Sequence, residues 1–474
     1  MSLSPGTSPS GQPPAAGEVL TTTVPPVVAP SRRWIRDRLE AAALRGGLLT
    51  VVGYGGVQVL RLLSNLLLTR LLFPEAFGLM ALVHSTMAAL QMFSDLGFHT
   101  CIIQDKEGDS PCFLDTAWTF SVLRGVVLWL IACALSWPLS WLYEAPALRQ
   151  LIPVVGLSAV IMGFQSTRVF SHQRHLVLGR LTAIDLGVQL GALGLMCAVA
   201  WWQRTVWALV VGGLFHATLR VILSHTVLPG ERNRFLWDRE AARRLVRFGR
   251  WILISTMLTW AVDKSDRLIL GASMAIATLG VYNIAALLAQ SVQDGMLTLS
   301  SKVLFPLYAR LAEVDAGGLR ARIQRVRVAL LLLALPPLCL LVAFSEQVLE
   351  LLYDDRYHQG AWMLRALAAG SIVGCVGLTG APVLLARGDS FSHMMVLAWR
   401  AVTLVGGVAW AHARWGVDGQ VWAVALNPLL GYPALAWATR AHGVWMPRLD
   451  ALAIAASALG VALLWLLRVT WLGH

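Results

Sequence analysis

The sequence predicts an all-α protein that crosses a membrane many times. Three observations carry that reading. The 474 residues are 57% hydrophobic and only 14% charged, whereas soluble domains carry about 25% charged residues. Mean hydropathy is +0.65, too apolar to supply the surface of a soluble protein this long. Apolar runs of about 20 residues, the length a helix needs to cross the hydrocarbon core, recur along nearly the whole chain. They are too long and continuous for the alternating ten-residue strands of an outer-membrane barrel. A secreted globular enzyme, a nucleic-acid-binding module and a disordered scaffold are thereby excluded.

Residues 1–31 are rich in Pro, Ser, Thr, Gly and Ala, and Glu18 is their only charge. They lack the basic-then-apolar pattern of a signal peptide and read as a disordered tail. Arg32 to Arg45 form a basic segment, so 1–45 is expected to be disordered and then basic on the cytoplasmic side. Candidate spans follow near 47–72, 77–103, 114–143, 147–171, 177–203, 206–229, 248–271, 278–303, 326–352, 361–386, 390–412, 418–438 and 449–472. The inner connection near 230–247 divides them into an N-lobe (46–229) and a C-lobe (248–440), with an additional C-terminal span in 441–474. The remaining loops are too short for a soluble catalytic domain, which argues against an enzyme. None of Cys101, Cys112, Cys133, Cys197, Cys339 and Cys375 forms a CxxC pair, so neither a zinc site nor a disulfide framework is indicated.

The net charge of +12 comes from 38 basic residues, of which only Lys106, Lys264 and Lys302 are lysine. In a soluble protein it would suggest nucleic acid; here it sets topology. With a cytoplasmic N-terminus, the inner connections hold Arg168, Arg174 and Arg180, the run from Arg232 to Arg250, the run from Lys302 to Arg327, and Arg387, Arg440 and Arg448. The outer ones hold only Arg149, Arg204, Arg356 and Arg414. This is the asymmetry of the positive-inside rule, and no nucleic-acid partner is expected.

A repeat supports two lobes. The turn before Phe77-Gly78-Leu79 and the turn before Leu279-Gly280-Val281 stand at equivalent places in the two halves, each followed by an apolar-Gly-apolar helix start. Membrane proteins built from repeated halves often place a substrate path between them.

Some residues are expensive where they sit, since an ionisable group at mid-membrane costs at least about 2.5–3.5 kcal/mol on insertion scales. Arg61 interrupts the first span, Arg124 the third, Asp185 the fifth, Arg220 the sixth and Arg400 the eleventh. Asp263-Lys264-Ser265-Asp266-Arg267 interrupts the seventh, and Asp294 falls in the eighth. One reading is a hydrated central cavity lined by Arg61, Arg267, Arg124, Arg220 and Arg400, whose guanidinium forks suit phosphate. The other is interhelical ion pairing or snorkelling, with Asp263 one turn from Arg267 as a partner. Gln58, Asn65, Asn283 and Gln290 could hydrogen-bond sugars. Asp263, Asp266 and Asp294 could bind a coupling cation or proton, or neutralise Lys264 and Arg267. His84, His216 and His393 read as packing residues.

Several stretches resemble a known family. Asn65 to Leu79, then Phe93-Ser94-Asp95-Leu96-Gly97-Phe98 and Ile102-Ile103-Gln104, are similar to the opening of bacterial polysaccharide transporters. These belong to the multidrug/oligosaccharidyl-lipid/polysaccharide (MOP) flippase superfamily. Leu245-Val246-Arg247-Phe248-Gly249, Asp266 to Gly271, Leu279 to Tyr282 and Val303 to Leu307 are similar too. The resemblance implies a polytopic inner-membrane helical transporter: two pseudo-repeated six-helix lobes around a central cationic cavity, with one or two additional C-terminal helices. It implies a Wzx-type flippase moving undecaprenyl-pyrophosphate-linked oligosaccharide to the periplasmic leaflet by alternating access, with no cofactor beyond a Na+ or H+ gradient. Membrane lipids, a polysaccharide polymerase and a chain-length regulator are the partners implied. Arg61 and Arg267 would attract the pyrophosphate. The competing expectations are a multidrug or metabolite cation antiporter of the same superfamily, whose cavity should favour carboxylates, and a membrane-embedded polymerase or ligase, which should carry a long outer loop.

Overall fold

The structure is a computed structural model, and it describes residues 55–95, 110–174, 178–300, 316–378, 384, 389–443 and 445–472. The N-terminal tail, Lys106, Lys302 and the Ile102-Ile103-Gln104 and Val303 to Leu307 blocks lie outside the described residues.

Helix α1 (residues 55–71) turns at Leu72-Phe73 into α2 (Pro74–Phe93). Proline is suited to this first turn, because its missing N–H would have had no partner there. Helix α3 (Pro111–Leu142) starts on a Ser110 cap, whose hydroxyl accepts from Phe113 N at 3.3 Å. Then come α4 (Leu148–Gly163), bent by 62° into the short α5 (Arg168–Arg174), α6 (Leu178–Gln203) and α7 (Trp207–Thr226).

The C-lobe opens with α8 (Arg239–Asp263), capped by Asp238 through Glu240 N and Ala241 N at 2.7 and 2.8 Å. The sequence expected a linker as far as 247; the cap moves the helix start forward, and the irregular connection ends at Asp238. The span expected at 248–271 is broken at Lys264 (φ −133°), where α8 gives way to α9 (Ser265–Gly271). Helices α10 (Ile276–Leu299), α11 (Ala316–Ala343) and α12 (Ser345–Leu352) follow, then a 3-10 turn (Asp355–Gly360) and α13 (Ala361–Leu378). Helix α14 (Ser390–Ala441) contains both spans expected at 390–412 and 418–438, separated by a sharp break at Gly416 (φ 62°, ψ −142°). Glycine takes that left-handed backbone without a Cβ penalty. Helix α15 (Pro447–Leu472) closes the chain. Among the described residues nine helices are long and apolar enough to cross a membrane, or ten if α4 and α5 form one bent span.

The lobes meet along α2. Its start crosses the start of α10 at a pair of glycines. A Cβ on Gly78 would overlap the Ile276 carbonyl, and one on Gly280 would overlap the Pro74 carbonyl, so only glycine allows this backbone approach. Farther along, α2 meets α8: Trp260 Nε1 donates to Ser85 O (3.3 Å), Thr256 Oγ1 donates to Met92 O (2.9 Å), and Trp260 meets Phe93 edge-on at 5.0 Å. The main apolar cluster joins both lobes, with Leu72, Leu82 and Leu148 from one and Leu270, Tyr282 and Leu364 from the other.

Helix α15 is fastened to the C-lobe at both ends. Near its start Asp450 pairs with Arg327 of α11 (2.6 Å) and accepts from Tyr432 Oη (2.8 Å). Near its end Arg468 donates to Ala343 O (3.2 Å) and pairs with Glu346, which also holds Arg365 (2.9 Å).

Candidate functional site

The residues singled out in sequence fall into three groups. In the first, α1 presents Gln58, Arg61 and Asn65 three and four residues apart, hence on one helical face. Arg61 is exposed, while Gln58 and Asn65 are half-buried. His84, expected to be a packing residue, is also exposed on α2 and lies within electrostatic range of Arg61.

The second group surrounds the α8–α9 break. Asp266 and Arg267 are 3% and 7% exposed and form an ion pair (2.8 Å). Tyr282 of α10 donates its hydroxyl to Asp266 Oδ2 at 2.6 Å. Arg267 spends its remaining donors on Gln290 Oε1 (2.9 Å), Asn283 Oδ1 (3.4 Å) and the Asp263 carbonyl (3.3 Å). Its carboxylate partner is therefore Asp266, not Asp263. Asn283 and Gln290 are held against Arg267 in this structure, so these five side chains make one closed polar network. Buried polar groups require such full pairing, and here the pairing fixes the interrupted span against α10.

Beside the network lies a second, accessible cluster. Asp263 and Asp294 are exposed, and Lys264 and Arg400 are half-buried. Asp263 is within electrostatic range of Arg400, Lys264 and Asp294. Arg400 comes from α14, where its carbonyl accepts from Asn427 Nδ2 (2.9 Å) and its side chain runs over Gly431. The cluster thus joins α8, α10 and α14, and it holds charges of both signs. Asp266 is neutralised by Arg267, which leaves Asp263 and Asp294 as the accessible carboxylates.

In the third group the charges serve neighbouring helices of the N-lobe. Arg124 donates to Gln91 O (2.6 Å) and Ser94 Oγ (2.9 Å), closing the end of α2. Arg220 of α7 pairs with Asp185 of α6 at 3.0 Å. The structure brings neither of them to the α8–α9 cluster.

Sequence reading missed Tyr282, which completes the Asp266 shell, and the Arg327–Asp450–Tyr432 group. Asp450 stands in the first turn of α15, where an acid is ordinary helix-end chemistry, so no local signal separated it from a surface residue.

The chain is a polytopic α-helical membrane protein with ionisable groups retained within both lobes, and its fold is that of the MOP superfamily transporters. Residues 67–361 match the model of the polysaccharide biosynthesis protein family, and the chain belongs to that family. It is 22% identical over 357 residues to the lipopolysaccharide biosynthesis protein WzxC of Escherichia coli (strain K12), covering 74% of this chain and 71% of that one. It is 20% identical over 299 residues to the teichuronic acid biosynthesis protein TuaB of Bacillus subtilis (strain 168), covering 63% and 62%. Among solved structures, the lipid II flippase MurJ in an inward closed conformation aligns with a TM-score of 0.71 at 10% identity, over 88% of this chain and 92% of that one. An inward-facing multidrug resistance MATE family transporter of the MOP superfamily aligns with a TM-score of 0.63 at 14% identity, over 85% and 95%. These two structural likenesses bear on the fold.

Proposed function

We propose that the protein is a flippase that carries an undecaprenyl-pyrophosphate-linked oligosaccharide from the cytoplasmic to the periplasmic leaflet of the inner membrane. The cargo would feed exopolysaccharide, capsule or O-antigen assembly, with a polymerase and a chain-length regulator acting downstream. The observation that carries this reading is Arg61: an exposed guanidinium in an apolar helix, flanked on its own face by Gln58 and Asn65. A permanent cation with a planar fork of donors suits a pyrophosphate, and neutral amides beside it suit sugar hydroxyls. Arg400 supplies a second accessible cation from the other lobe. Arg267 acts indirectly, by holding α9 in place. The lobes would rock about the α2 contacts, while the lipid tail stays in the bilayer. Asp263 and Asp294 are the groups proposed to carry a coupling Na+ or H+.

The test replaces the native gene with an Arg61→Ala variant. We expect full membrane insertion, loss of polymer export, and complete lipid-linked repeats accumulating on the cytoplasmic side. Wild-type export would remove Arg61 from the mechanism. Unpolymerised repeats in the periplasm would mean that flipping continues and a later step has failed.

A further inference from the structure

Arg168 and Arg232 read in sequence as positive-inside residues and nothing more. In the structure they face a cavity of about 330 Å³ on the arginine-rich face of the N-lobe, together with Asp115, His172, Glu231 and Asn233. Its wall is the connection between α7 and α8, and that wall is fixed by specific bonds. Arg168 donates Nε to Glu231 O and Nη1 to both His225 O and Leu228 O, each at 2.8 Å. Asn233 accepts from Ser166 Oγ (3.0 Å) and donates to Thr167 Oγ1 (2.6 Å). Arg234 N donates to Asp115 Oδ1 (3.0 Å), and Leu236 N donates to Thr119 Oγ1 (3.1 Å).

Two features narrow the ligand. The first is charge: two guanidiniums and two carboxylates share the cavity. Asp115 and Glu231 would repel a simple anion, and Arg168 and Arg232 a simple cation, so a ligand carrying both signs fits best. The second is position. The connection passes the start of α3 and the end of α7, both of spanning length, so it lies at the membrane surface. Just beyond the cavity it presents Phe235 (67% exposed), Leu236 and Trp237 (51% exposed) between Arg234 and Arg239. The Phe235 ring sits 4.7 Å from Trp118, and Trp237 stacks on Phe120 at 5.9 Å. Aromatic rings among arginines are what a lipid interface retains.

We propose that this cavity binds the headgroup of a zwitterionic aminophospholipid. Its phosphodiester meets Arg168 and Arg232, its ammonium meets Asp115 and Glu231, and its acyl chains continue beside Phe235 and Trp237. The bound lipid fastens the inter-lobe connection to α3 and α5.

The experiment uses the full chain, stripped of lipid in detergent and rebuilt into nanodiscs of phosphatidylethanolamine with phosphatidylglycerol, or of phosphatidylcholine with phosphatidylglycerol. Retained lipid is counted by native mass spectrometry. We expect one phosphatidylethanolamine held per protein, with retention reduced roughly tenfold by Arg232→Ala, as for loss of one charge-assisted contact. Asp115→Asn keeps an acceptor for Arg234 N and should weaken retention similarly, while Arg204→Ala, at the far end of α6, should not. Circular dichroism verifies that each variant is folded. Equal retention of phosphatidylethanolamine and phosphatidylglycerol overturns the proposal, as does retention unchanged in both cavity variants. Displacement of the lipid by inorganic phosphate would make this a free-anion site and overturn it too.

Discussion

Arg61 and Arg267 illustrate how two buried-looking arginines can differ in kind. Arg267 bonds four polar groups, the Asp266 carboxylate, the Asp263 carbonyl, Asn283 and Gln290, so removing it leaves the buried Asp266 carboxylate with Tyr282 but without its counter-charge. Breaking a buried pair from one side typically costs about 3–5 kcal/mol. Arg267→Ala should therefore lower the melting temperature and the folded yield as well as transport, whereas Arg400→Ala should lose transport while its melting curve stays near wild type. Matching melting curves for the two variants would contradict this division. Asp389 makes a different kind of contact at the start of α14. Its carboxylate accepts from Ser392 N (2.9 Å) and lies 2.7 Å from His442 Nε2, and the Ser392 bond foremost holds it down from 3.8 to about 2. A depressed acid stabilises the fold above its unfolded value, so this cap is intact above about pH 4 and lost as pH falls towards 2. Hydrogen exchange in the first turn of α14 should rise across that window, and Asp389→Asn should flatten the rise. The Asp266–Arg267 adjacency was legible in sequence, because two charges in an apolar run stand out. Tyr282, Gln290 and Asn283 were not legible as its partners, since they sit on the next helix and their pairing is made only by packing.

Periodicity and length located most helices, because a span must satisfy its own backbone and leaves a long apolar signature. The interruptions were less visible. Apolar residues continue on both sides of Lys264 and on both arms at Gly416, so hydropathy alone could not say where the backbone breaks. The Gly78 and Gly280 repeat was visible as a sequence echo, but its meaning was not: in three dimensions the two glycines form one crossing, each admitting the other helix's backbone. Gly78→Val should force α2 and α10 apart, since overpacking of this kind costs about 1–3 kcal/mol. Cysteines introduced at the starts of the two helices should cross-link readily in the wild-type background and poorly in Gly78→Val. Undiminished cross-linking would show that the crossing tolerates a side chain. Gly280→Val is the matching control, because either glycine alone should suffice to disrupt the contact.

At the scale of the molecule, composition and charge asymmetry were enough to read a multi-span membrane protein, and the family match agrees with the resemblance carried by the Asn65–Leu79 block. The central cluster was only partly legible. Its charges were conspicuous, but which of them remain accessible depends on three helices from distant parts of the chain. The attachment of α15 was also hidden: its apolar run looked like an appended helix, while Asp450 and Arg468 tie it to α11 and α12 at both ends. Any motion of the C-lobe must therefore carry α15 with it.

The accessible charges at the α8–α9 break have one further consequence, which is electrical. Lys264, Asp263, Asp294 and Arg400 sit within the span of the membrane field, and moving one elementary charge across all of it is worth about 2.3 kcal/mol per 100 mV. The two cations and two carboxylates cancel, so the cluster carries a net charge through that field only when a coupling ion or proton binds to it. Under the alternating access proposed above, the resting voltage would therefore act on the cation-loaded carrier and leave the empty one nearly unaffected.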